Sequence, residues 1–504
     1  MEVQFPSFPV LLTFLVFIFL VSRIIGKKNS TKNLPPGPWK LPLIGSIHHL
    51  ISSLPHHRLK DLAKIYGPIM HLQLGELTNI VISSPETAKE VLKTHDITFA
   101  QRPFLLAASA LTYNYSDIAF APYGDYWRQM RKICTVELLT AKRVDSFRSV
   151  REEQVSKLIT SISSGAGSPI NFSMMVNSSI YSIISRTAFG KIWEGEDIFI
   201  PTAKALIEAA GGFSLADLYP SLKLLQVVSG MNSRLESIQK KVDKIFQSII
   251  DEHKARKGTG SNQSEGNEDL VDVLLNLQDQ GDLQFPLTDD NIKAIILDMF
   301  VAGSETSSTT IEWAMSELMK NPRAMRKAQE EVRQIFGTEG RIDESRLHEL
   351  NYFKLVVKEA LRLHPPIPLL LPRECREKCS INGYEIPVKS KVIVNVWAMG
   401  RDPNYWNESE EFNPERFIDS SIDFRGTNFE YLPFGAGRRM CPGLTYGMIN
   451  VEFPLAQLLF HFDWKLPTGM TPENLDMVEI FGAVTKRKND LHLIPIPYRS
   501  FLVK

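Results

Sequence analysis

The sequence contains little cysteine, carries no net charge and has no internal repeat. Four cysteines occur in 504 residues, at Cys134, Cys375, Cys379 and Cys441, and none belongs to a CxxC pair. This spacing excludes a small secreted domain held together by disulfides, and we assign Cys375 and Cys379 a structural role. Basic and acidic residues number 57 each, which argues against a nucleic acid as partner because such proteins need a basic surface.

The chain begins with a long apolar run. Residues 5–25 are almost wholly apolar, and a helix of about 20 residues spans the hydrocarbon core of a bilayer. Lys27, Lys28 and Lys32 follow the run, and positive charge marks the cytosolic end of such a helix. The sequence therefore predicts that residues 1–26 are a retained, single-pass signal anchor in the endoplasmic reticulum membrane, which leaves the remaining chain in the cytosol.

A basic and proline-rich stretch separates the predicted anchor from the rest of the chain. Four prolines in the sequence LPPGPWKLPLIG predict a stiff, extended spacer, which we place at residues 27–45. No further linker divides the chain, so residues 46–504 are predicted to form one large catalytic domain.

Apolar residues recur with a helical period over most of this domain, and a few short runs alternate as strands do. The clearest helical segments are 236–254, 291–319 and 322–336, and the strand-like runs are 68–84 and 390–402. The predicted fold class is mainly α with a small β region.

The sequence FGAGRRMCPG, residues 434–443, places one cysteine in a glycine-rich turn. Glycines let a backbone turn tightly and approach a flat ligand, and amide groups aimed at a sulfur atom help a metal to hold it as a thiolate. The spacing F-x-x-G-x-R-x-C-x-G resembles the haem-thiolate loop of the cytochromes P450. This resemblance implies the P450 fold and a haem b cofactor, with Cys441 as axial ligand of the iron and with Phe434 and Arg439 beside the haem.

Two further motifs of that family concern the haem and its chemistry. Trp127 and Arg131 match W-x-x-x-R, and Arg373 follows the sequence LLLP; the resemblance implies that all three bind haem propionates. The sequence AGSET lies in a long apolar helix, where Gly303 costs about 1 kcal/mol relative to alanine. The resemblance assigns Glu305 and Thr306 to proton delivery.

A third motif is structural. Glu359 and Arg362 in KEALRLH are three residues apart, so they share one helical face. Alone, this pattern is most often a solvated ion pair. With Arg416 from the downstream NPERF sequence, the resemblance implies a buried Glu359–Arg362–Arg416 triad.

Longer stretches, such as DIAFAPYGDYWRQMRKIC and AIILDMFVAGSETSS, are similar to those of plant microsomal enzymes that oxidise terpenoids. The resemblance implies a monooxygenase that inserts one atom of O2 into an apolar small molecule by hydroxylation, further oxidation or epoxidation. NADPH would supply the electrons through cytochrome P450 reductase, which Arg128, Lys132 and Arg438 are predicted to dock.

The substrate pocket is inferred from the family alone, and for each residue ordinary core packing is an equal alternative. The candidates are Phe104, Leu111, Phe213, Leu215, Ile295, Met299, Ala302, Ile367, Leu369, Ala483 and Val484. Nearly all are apolar, which suits a hydrocarbon-like substrate that arrives from the bilayer.

Three other functions remain open at this point. The first is a monooxygenase whose substrate is an alkaloid or a fatty acid. The second is a haem-thiolate isomerase or dehydratase that needs no reductase. The third is a non-catalytic haem-binding protein. The pair Glu305 and Thr306 favours the monooxygenase, since the isomerases usually lack these two residues and a haem carrier has no use for them.

Overall fold

The computed structural model describes residues 12–14, 16–17, 33–51, 54–192, 214–222, 230–258, 268–338 and 340–498. Among the helices of these residues, none combines the length and the apolar character that crossing a bilayer requires. Apart from residues 12–14 and 16–17, the predicted anchor lies outside the described residues, as does Phe213 of the predicted pocket.

Helices make up most of the described chain, which confirms the mainly α prediction. The α-helices are α1 (Pro55–Tyr66), α2 (Pro85–Lys89), α3 (Leu106–Leu111), α4 (Asp125–Ile133), α5 (Ala141–Ser146), α6 (Arg148–Ser164), α7 (Phe172–Phe189), α8 (Leu215–Leu218), α9 (Met231–Gly258), α10 (Leu270–Gln280), α11 (Asp289–Lys320), α12 (Pro322–Phe336), α13 (Asn351–Leu363), α14 (Val396–Met399) and α15 (Leu444–His461). The three segments with a helical period lie in α9, α11 and α12.

Short strands form small sheets beside the helices. The strands are β1 (Ile69–Leu74), β2 (Leu77–Ile82), β3 (Ile170–Asn171), β4 (Arg373–Glu374), β5 (Cys379–Ile381), β6 (Tyr384–Ile386), β7 (Lys391–Val394), β8 (Phe462–Lys465), β9 (Glu479–Ile480), β10 (Lys486–Arg487) and β11 (His492–Pro497). One sheet has the order β1-β2-β7-β4, with β2 and β7 parallel, and a second has the order β3-β11-β8. The strands β5 and β6 pair with each other, as do β9 and β10.

The two strand-like runs of the sequence fold differently. Residues 68–84 contain the antiparallel pair β1 and β2, as predicted. In residues 390–402 only β7 is a strand, because the Asn395 side chain accepts a hydrogen bond from the Ala398 amide at 3.0 Å and begins α14. This side-chain cap offers the backbone a helical start in place of the sheet, which corrects the prediction for 395–402.

Helix α11 runs through the main core. Thr288 and Asn291 form a capping box at its N-terminus, which satisfies two amide groups that the helix leaves free. Helix α11 packs against α7 and α15, and side chains such as Ile292, Ile295 and Ile311 are fully buried there. Each buried side chain of this size stabilises the fold by about 1.5–3 kcal/mol, so these contacts fix the position of α11 in the core.

A second, smaller core lies under the four-stranded sheet. It contains Ile80 and Ile82 of β2, Val392 and Val394 of β7, and also Ala436 of the predicted cysteine loop. The sheet and the loop therefore share one packed interior, and the sheet positions the loop.

The described part of the predicted spacer contacts the body of the protein. Pro35 and Pro38 are buried, the Pro36 carbonyl accepts a hydrogen bond from the His71 amide at 2.8 Å, and Gly45 bridges to β1. Residues 33–45 of the predicted spacer thus lie against the edge of β1.

Candidate active site

The loop of residues 434–443 leads directly into α15. Gly435 and Gly437 both have a φ of +70°, a left-handed conformation that favours glycine. A Cβ atom on Gly437 would also lie 2.1 Å from a backbone carbonyl oxygen of the neighbouring helical turn, so no larger residue fits. The Cys441 amide donates to the Phe434 carbonyl at 3.0 Å, and this bond closes the loop and fixes the cysteine.

Cys441 is exposed to solvent, although many protein atoms surround its thiol. Burial raises the pKa of Cys441, while the Gly443 amide, which hydrogen-bonds to the sulfur, and the nearby Arg131 lower it. The Gly443 amide and Arg131 thus stabilise negative charge on the sulfur, as a thiolate that is bound to a metal ion requires.

Two predicted haem residues lie on one face of α4, because they are four residues apart. The Trp127 indole N–H donates to the Ile118 carbonyl at 3.0 Å. Arg131 Nη2 donates to the carbonyl of Met440 at 2.5 Å, the residue that precedes Cys441. Helix α4 is thereby joined to the cysteine loop.

Arg439 and Arg373 reach the same region from the loop and from β4. Arg439 donates to three backbone carbonyls between residues 100 and 121, and its guanidinium carbon lies 4.3 Å from the Trp127 ring centroid. Arg373 donates to a carbonyl of the cysteine loop at 2.9 Å and pairs with Asp96 at 3.1 Å. The structure thus brings four of the predicted haem-contacting side chains together: Trp127, Arg131, Arg373 and Arg439.

One member of this group, Arg102, belongs to none of the sequence motifs. Its guanidinium is buried and donates to the carbonyls of Ala119, Leu371 and Pro372 at 2.7–2.8 Å. Three separate segments meet there, so no local motif pointed to this residue. We refer to Arg102, Arg131, Arg373 and Arg439 as the arginine cluster.

The arginine cluster concentrates positive charge in a buried place. Burial, and then the neighbouring Arg439 and Arg373, lower the pKa of Arg102; burial, and then Arg373, lower the pKa of Arg439 to about 9. A ligand with two carboxylates would offset this repulsion through charge-assisted hydrogen bonds. With the Cys441 thiol beside it, the donor set fits haem, which carries an iron ion and two propionates.

The predicted AGSET motif lies within the continuous helix α11. The Thr306 hydroxyl donates to the Ala302 carbonyl at 2.6 Å, a bond that competes with the helical ladder. A Cβ atom on Gly303 would lie 3.2 Å from Ile184 Cδ1 of α7, so the glycine permits close packing of the two helices. Ala302 is exposed and Thr306 is half-buried, and both are therefore accessible to a ligand.

Glu305 has a partner that the sequence did not reveal. Its carboxylate, which is 14% exposed, forms an ion pair with Lys486 of β10. The partner is 181 positions away in the chain, so no spacing pattern predicts it. The acid of the AGSET motif is thus held between α11 and the β9–β10 hairpin.

The predicted triad residues lie together in the core. Glu359 accepts two hydrogen bonds from Arg362 at 2.8 Å, one from Arg416 at 2.9 Å and one from the Asn413 amide at 2.8 Å. The side chains of Glu359 and Arg362 are 0% exposed and that of Arg416 is 8% exposed. A solvated ion pair, the other interpretation of KEALRLH, does not describe this group.

The candidate pocket residues divide into several groups. Ile367, Leu369 and Ala483 line one cavity, together with Phe481 and the buried Lys391. Leu111, Ile295 and Val484 are buried, and Leu111 and Ile295 belong to the main core. Met299 is partly buried and packs against that core, and Phe104 is 51% exposed. Phe213 and the side chain of Leu215 lie outside the described residues.

Two buried carboxylic acids join α11 to the loop before α4. Asp298 accepts from the amides of Ile118 and Ala119 at 2.8 and 3.2 Å, and Asp117 accepts from the Phe120 amide at 3.0 Å. Burial, and then Asp117, raise the pKa of Asp298; burial raises the pKa of Asp117 to about 6. We therefore expect the two acids to retain a shared proton in the folded protein more readily than in the unfolded chain.

This acid pair predicts a pH dependence of stability. Because both pKa values are higher in the folded protein than in the unfolded chain, the fold loses stability as the pH rises from about 4 through 6 and above. The raised pKa of Asp117 alone corresponds to a loss of about 3 kcal/mol in the free energy of unfolding as the pH rises through this range. In Asp298→Asn the amide keeps the bonds and needs no proton, so we expect its urea midpoint to fall less between pH 5 and 8 than that of the wild type.

The matched control for this variant is Asp282→Asn, at an exposed position. Its urea midpoint should fall with pH as steeply as the wild-type midpoint does. Equal slopes for Asp298→Asn and the wild type would show that the two acids hold no shared proton.

Comparison with known proteins places this site in a family. The sequence model of the family described as Cytochrome P450 matches residues 35–494. Premnaspirodiene oxygenase of Hyoscyamus muticus is 55% identical, over 98% of this chain and 99% of the relative, and 5-epiaristolochene 1,3-dihydroxylase of Nicotiana tabacum is 54% identical over the same shares. A zebra fish cytochrome P450 solved with progesterone superposes with a TM-score of 0.76 at 25% identity, over 88% of this chain and 100% of that chain.

Proposed function

The chain belongs to the cytochrome P450 family of monooxygenases, and we propose that it inserts one atom of O2 into a terpenoid, chiefly by hydroxylation. The observation that carries the proposal is the accessible Cys441 thiol beside the arginine cluster. The terpenoid class is supported by two relatives of 54–55% identity that are named for oxidising premnaspirodiene and 5-epiaristolochene.

The chain's own residues have separate tasks in holding haem b. The haem, when bound, supplies the oxidative chemistry that amino acids cannot. Cys441 would ligate its iron, and the Gly443 amide would stabilise the thiolate charge by hydrogen bonding. The arginine cluster and Trp127 would hold the propionates. The hydrogen bonds from Arg131 and Arg373 to the cysteine loop would fix the position of these side chains relative to Cys441.

Thr306 is the residue to which we assign proton delivery. Its hydroxyl lies on α11, where the hydrogen bond to the Ala302 carbonyl orients it. The adjacent Glu305–Lys486 pair can bind and release a proton, since the carboxylate accepts a proton and the ammonium group donates one. Ala302 and Thr306 would thus be the residues of α11 that border the bound O2.

We assign the cavity that residues 367–372 and 481–483 line to the substrate site. Ile367, Leu369, Phe481 and Ala483 give it an apolar lining, which suits a hydrocarbon and excludes water from the reacting carbon. Buried Lys391 provides one polar group in that lining.

The membrane anchor and the electron source complete the proposal. The apolar run of residues 5–25 and the lysines that follow support a single-pass anchor in the endoplasmic reticulum. We assign the electrons to NADPH through cytochrome P450 reductase. Lys132 and Arg438 are exposed, and with Arg128 they offer a basic surface close to the cysteine loop.

The experiment uses yeast microsomes that contain this chain and a plant cytochrome P450 reductase. They are supplied with terpene hydrocarbons, a fatty acid and an alkaloid skeleton. We expect a terpene product that is heavier by one oxygen atom, that takes this atom from isotopically labelled O2 and that forms only when NADPH is added.

The other outcomes distinguish the remaining functions. A product that forms without NADPH would indicate an isomerase or dehydratase. Oxidation of the fatty acid or the alkaloid alone would refute the terpenoid class and leave the monooxygenase in place. A haem-containing protein that consumes no NADPH with any substrate would indicate a non-catalytic role.

A further inference from the structure

Three side chains that belong to neither the cysteine loop nor the arginine cluster meet at one carboxylate oxygen. His56 and His57 are consecutive residues of α1, and Glu479 begins β9, 422 positions after His57. The Nε2 atoms of the two histidines lie 2.8 and 2.9 Å from Oε2 of Glu479. We refer to these three residues as the histidine–glutamate cluster.

Packing fixes both imidazole rings of the cluster. The His57 ring stacks on Trp397 with 4.1 Å between centroids and 20° between planes. The His56 ring meets the same indole at 5.1 Å, and the His56 carbonyl accepts a hydrogen bond from the Asn395 side chain at 2.8 Å. Side chains that are locked in this way bind a ligand without first being ordered.

A further histidine lies beside the second oxygen of the carboxylate. His364 Nδ1 is 3.7 Å from Oε1 of Glu479, and His364 Nε2 is 2.7 Å from the Glu317 carboxylate. The His364 ring also stacks on Trp313 at 4.1 Å. Groups that bind metal ions commonly have such outer partners, which fix their orientation. Here the arrangement leaves Oε2 facing His56 and His57.

Two imidazole nitrogens and one carboxylate oxygen are a ligand set of zinc in proteins, with water in the fourth position. The three ligand atoms all lie within 4.8 Å of one another. Ligands at about 2.0–2.1 Å from a tetrahedral zinc ion are roughly 3.3 Å apart, so a small outward movement of the side chains admits the ion. Each ring then carries its proton on Nδ1 and binds through the lone pair of Nε2.

The cluster is accessible from one side. The side chain of His56 is 0% exposed and that of Glu479 is 7% exposed, whereas that of His57 is 40% exposed. An ion can therefore enter from solvent past His57 and keep one water molecule as a ligand.

The charges around the cluster permit a cation. Arg401 and Lys60 lie over the Trp397 ring, and both pair with Glu410. Glu317 supplies a second carboxylate on the far side of the site. These two cations and two carboxylates balance, so the carboxylate of the cluster itself remains to offset the charge of a bound ion.

We propose that His56, His57 and Glu479 bind a zinc ion. The ion joins the start of α1 to the β9–β10 hairpin. Phe481 and Ala483, which line the cavity described above, follow Glu479 closely in the chain, so zinc fixes one wall of that cavity to α1. The inference concerns a metal site and does not depend on the proposed function.

The test uses the full-length, haem-containing protein, purified in detergent and freed of loosely bound metal ions with a chelator. Equilibrium dialysis against zinc chloride should give one bound zinc ion per chain at micromolar zinc. X-ray absorption at the zinc edge, which haem iron does not disturb, should show nitrogen and oxygen ligands at about 2.0–2.1 Å and no sulfur at about 2.3 Å.

Three variants make the test specific. His57→Phe removes a ligand nitrogen and keeps an aromatic ring in the stack, and Glu479→Gln removes the charge and keeps the shape. Both should weaken zinc binding by more than about a hundredfold, since loss of an outer partner alone costs about 10–100-fold. His49→Phe makes the same change in another pair of adjacent histidines, whose nitrogens lie 3.1 and 3.2 Å from backbone carbonyl oxygens, and should bind zinc as the wild type does.

Several outcomes would overturn the proposal. A wild-type protein that binds no zinc would show that the cluster is a hydrogen-bonded group only. Sulfur among the zinc ligands would assign the ion to the cysteines. Wild-type affinity in His57→Phe or Glu479→Gln, or an equal loss in His49→Phe, would place the ion elsewhere. Because His57 is partly exposed, His57→Phe should keep the urea midpoint and haem content of the wild type, and its affinity then reports on the ligand alone.

Discussion

Replacing Cys441 by serine is expected to remove the absorption band that is diagnostic of thiolate-ligated haem in the reduced, carbon monoxide-bound protein. A serine hydroxyl does not ionise near neutral pH and is a poor iron ligand, while the Gly443 amide and the arginine cluster remain. Loss of a group that only supports a metal ligand costs about 10–100-fold in affinity or activity. Loss of the ligand itself should therefore lower product formation by more than about a hundredfold.

The measurements are the spectrum of the reduced, carbon monoxide-treated protein and the rate of product formation in microsomes with reductase. Serine is nearly isosteric with cysteine, and the 434–443 loop closes through the amide of residue 441. The urea midpoint of the protein without haem should thus equal that of the wild type. Cys134→Ser, at a cysteine buried in the main core, should keep the diagnostic band; a Cys441→Ser protein that also kept it would refute thiolate ligation.

The cysteine loop could be predicted from the sequence because its determinants are contiguous. Gly435, Gly437 and Cys441 stand within seven residues, and the turn that they form depends mainly on their own backbone conformations. The same holds for Trp127 and Arg131, which share a face of one helix. Local spacing of this kind is independent of the rest of the fold, so a motif predicts it well.

Interactions between distant segments could not be predicted in this way. Arg102 meets carbonyls from two other segments, and Glu305 meets Lys486 only because β10 lies against α11. The Asp117–Asp298 pair depends on how the loop before α4 crosses α11. Since each contact depends on the tertiary arrangement, one sequence without alignment offers no signal for it.

The error at residues 395–402 has another physical cause. The apolar run that begins in β7 continues with a strand-like composition, but Asn395 caps a helical turn. Asparagine side chains compete with the sheet for backbone amides, and the alternation of apolar residues does not reveal this competition.

Glu359→Gln is expected to lower the free energy of unfolding by about 3–5 kcal/mol, because removing one partner of a buried ion pair leaves the other charge uncompensated. Arg362 is 0% exposed and has no access to water. A loss of this size is a large part of the 5–15 kcal/mol that stabilises a typical domain. Urea unfolding and the yield of haem-containing protein are the measurements.

The matched control is Glu349→Gln. Glu349 and Arg346 have the same i, i+3 arrangement and the same two-bond geometry, at 2.6 and 2.8 Å, but both side chains are about one-third exposed. Ion pairs at the surface contribute little, so this variant should unfold as the wild type does. Equal losses in the two glutamine variants would show that burial is not the cause.

The double variant Glu359→Met with Arg362→Met distinguishes two effects: the neutralisation of charge within the ion pair, and the hydrogen bonds from Arg362 to the segment 400–411. Replacing both members of a buried ion pair by apolar residues is often neutral. Arg362, however, also donates to the carbonyls of Gly400, Ser409 and Glu411, and its loss leaves the carbonyls of Gly400 and Ser409 without this donor. The double variant should therefore remain as unstable as Glu359→Gln. Recovery to wild-type stability would mean that Arg362 serves only to neutralise Glu359, and that the segment 400–411 is held in place by other contacts.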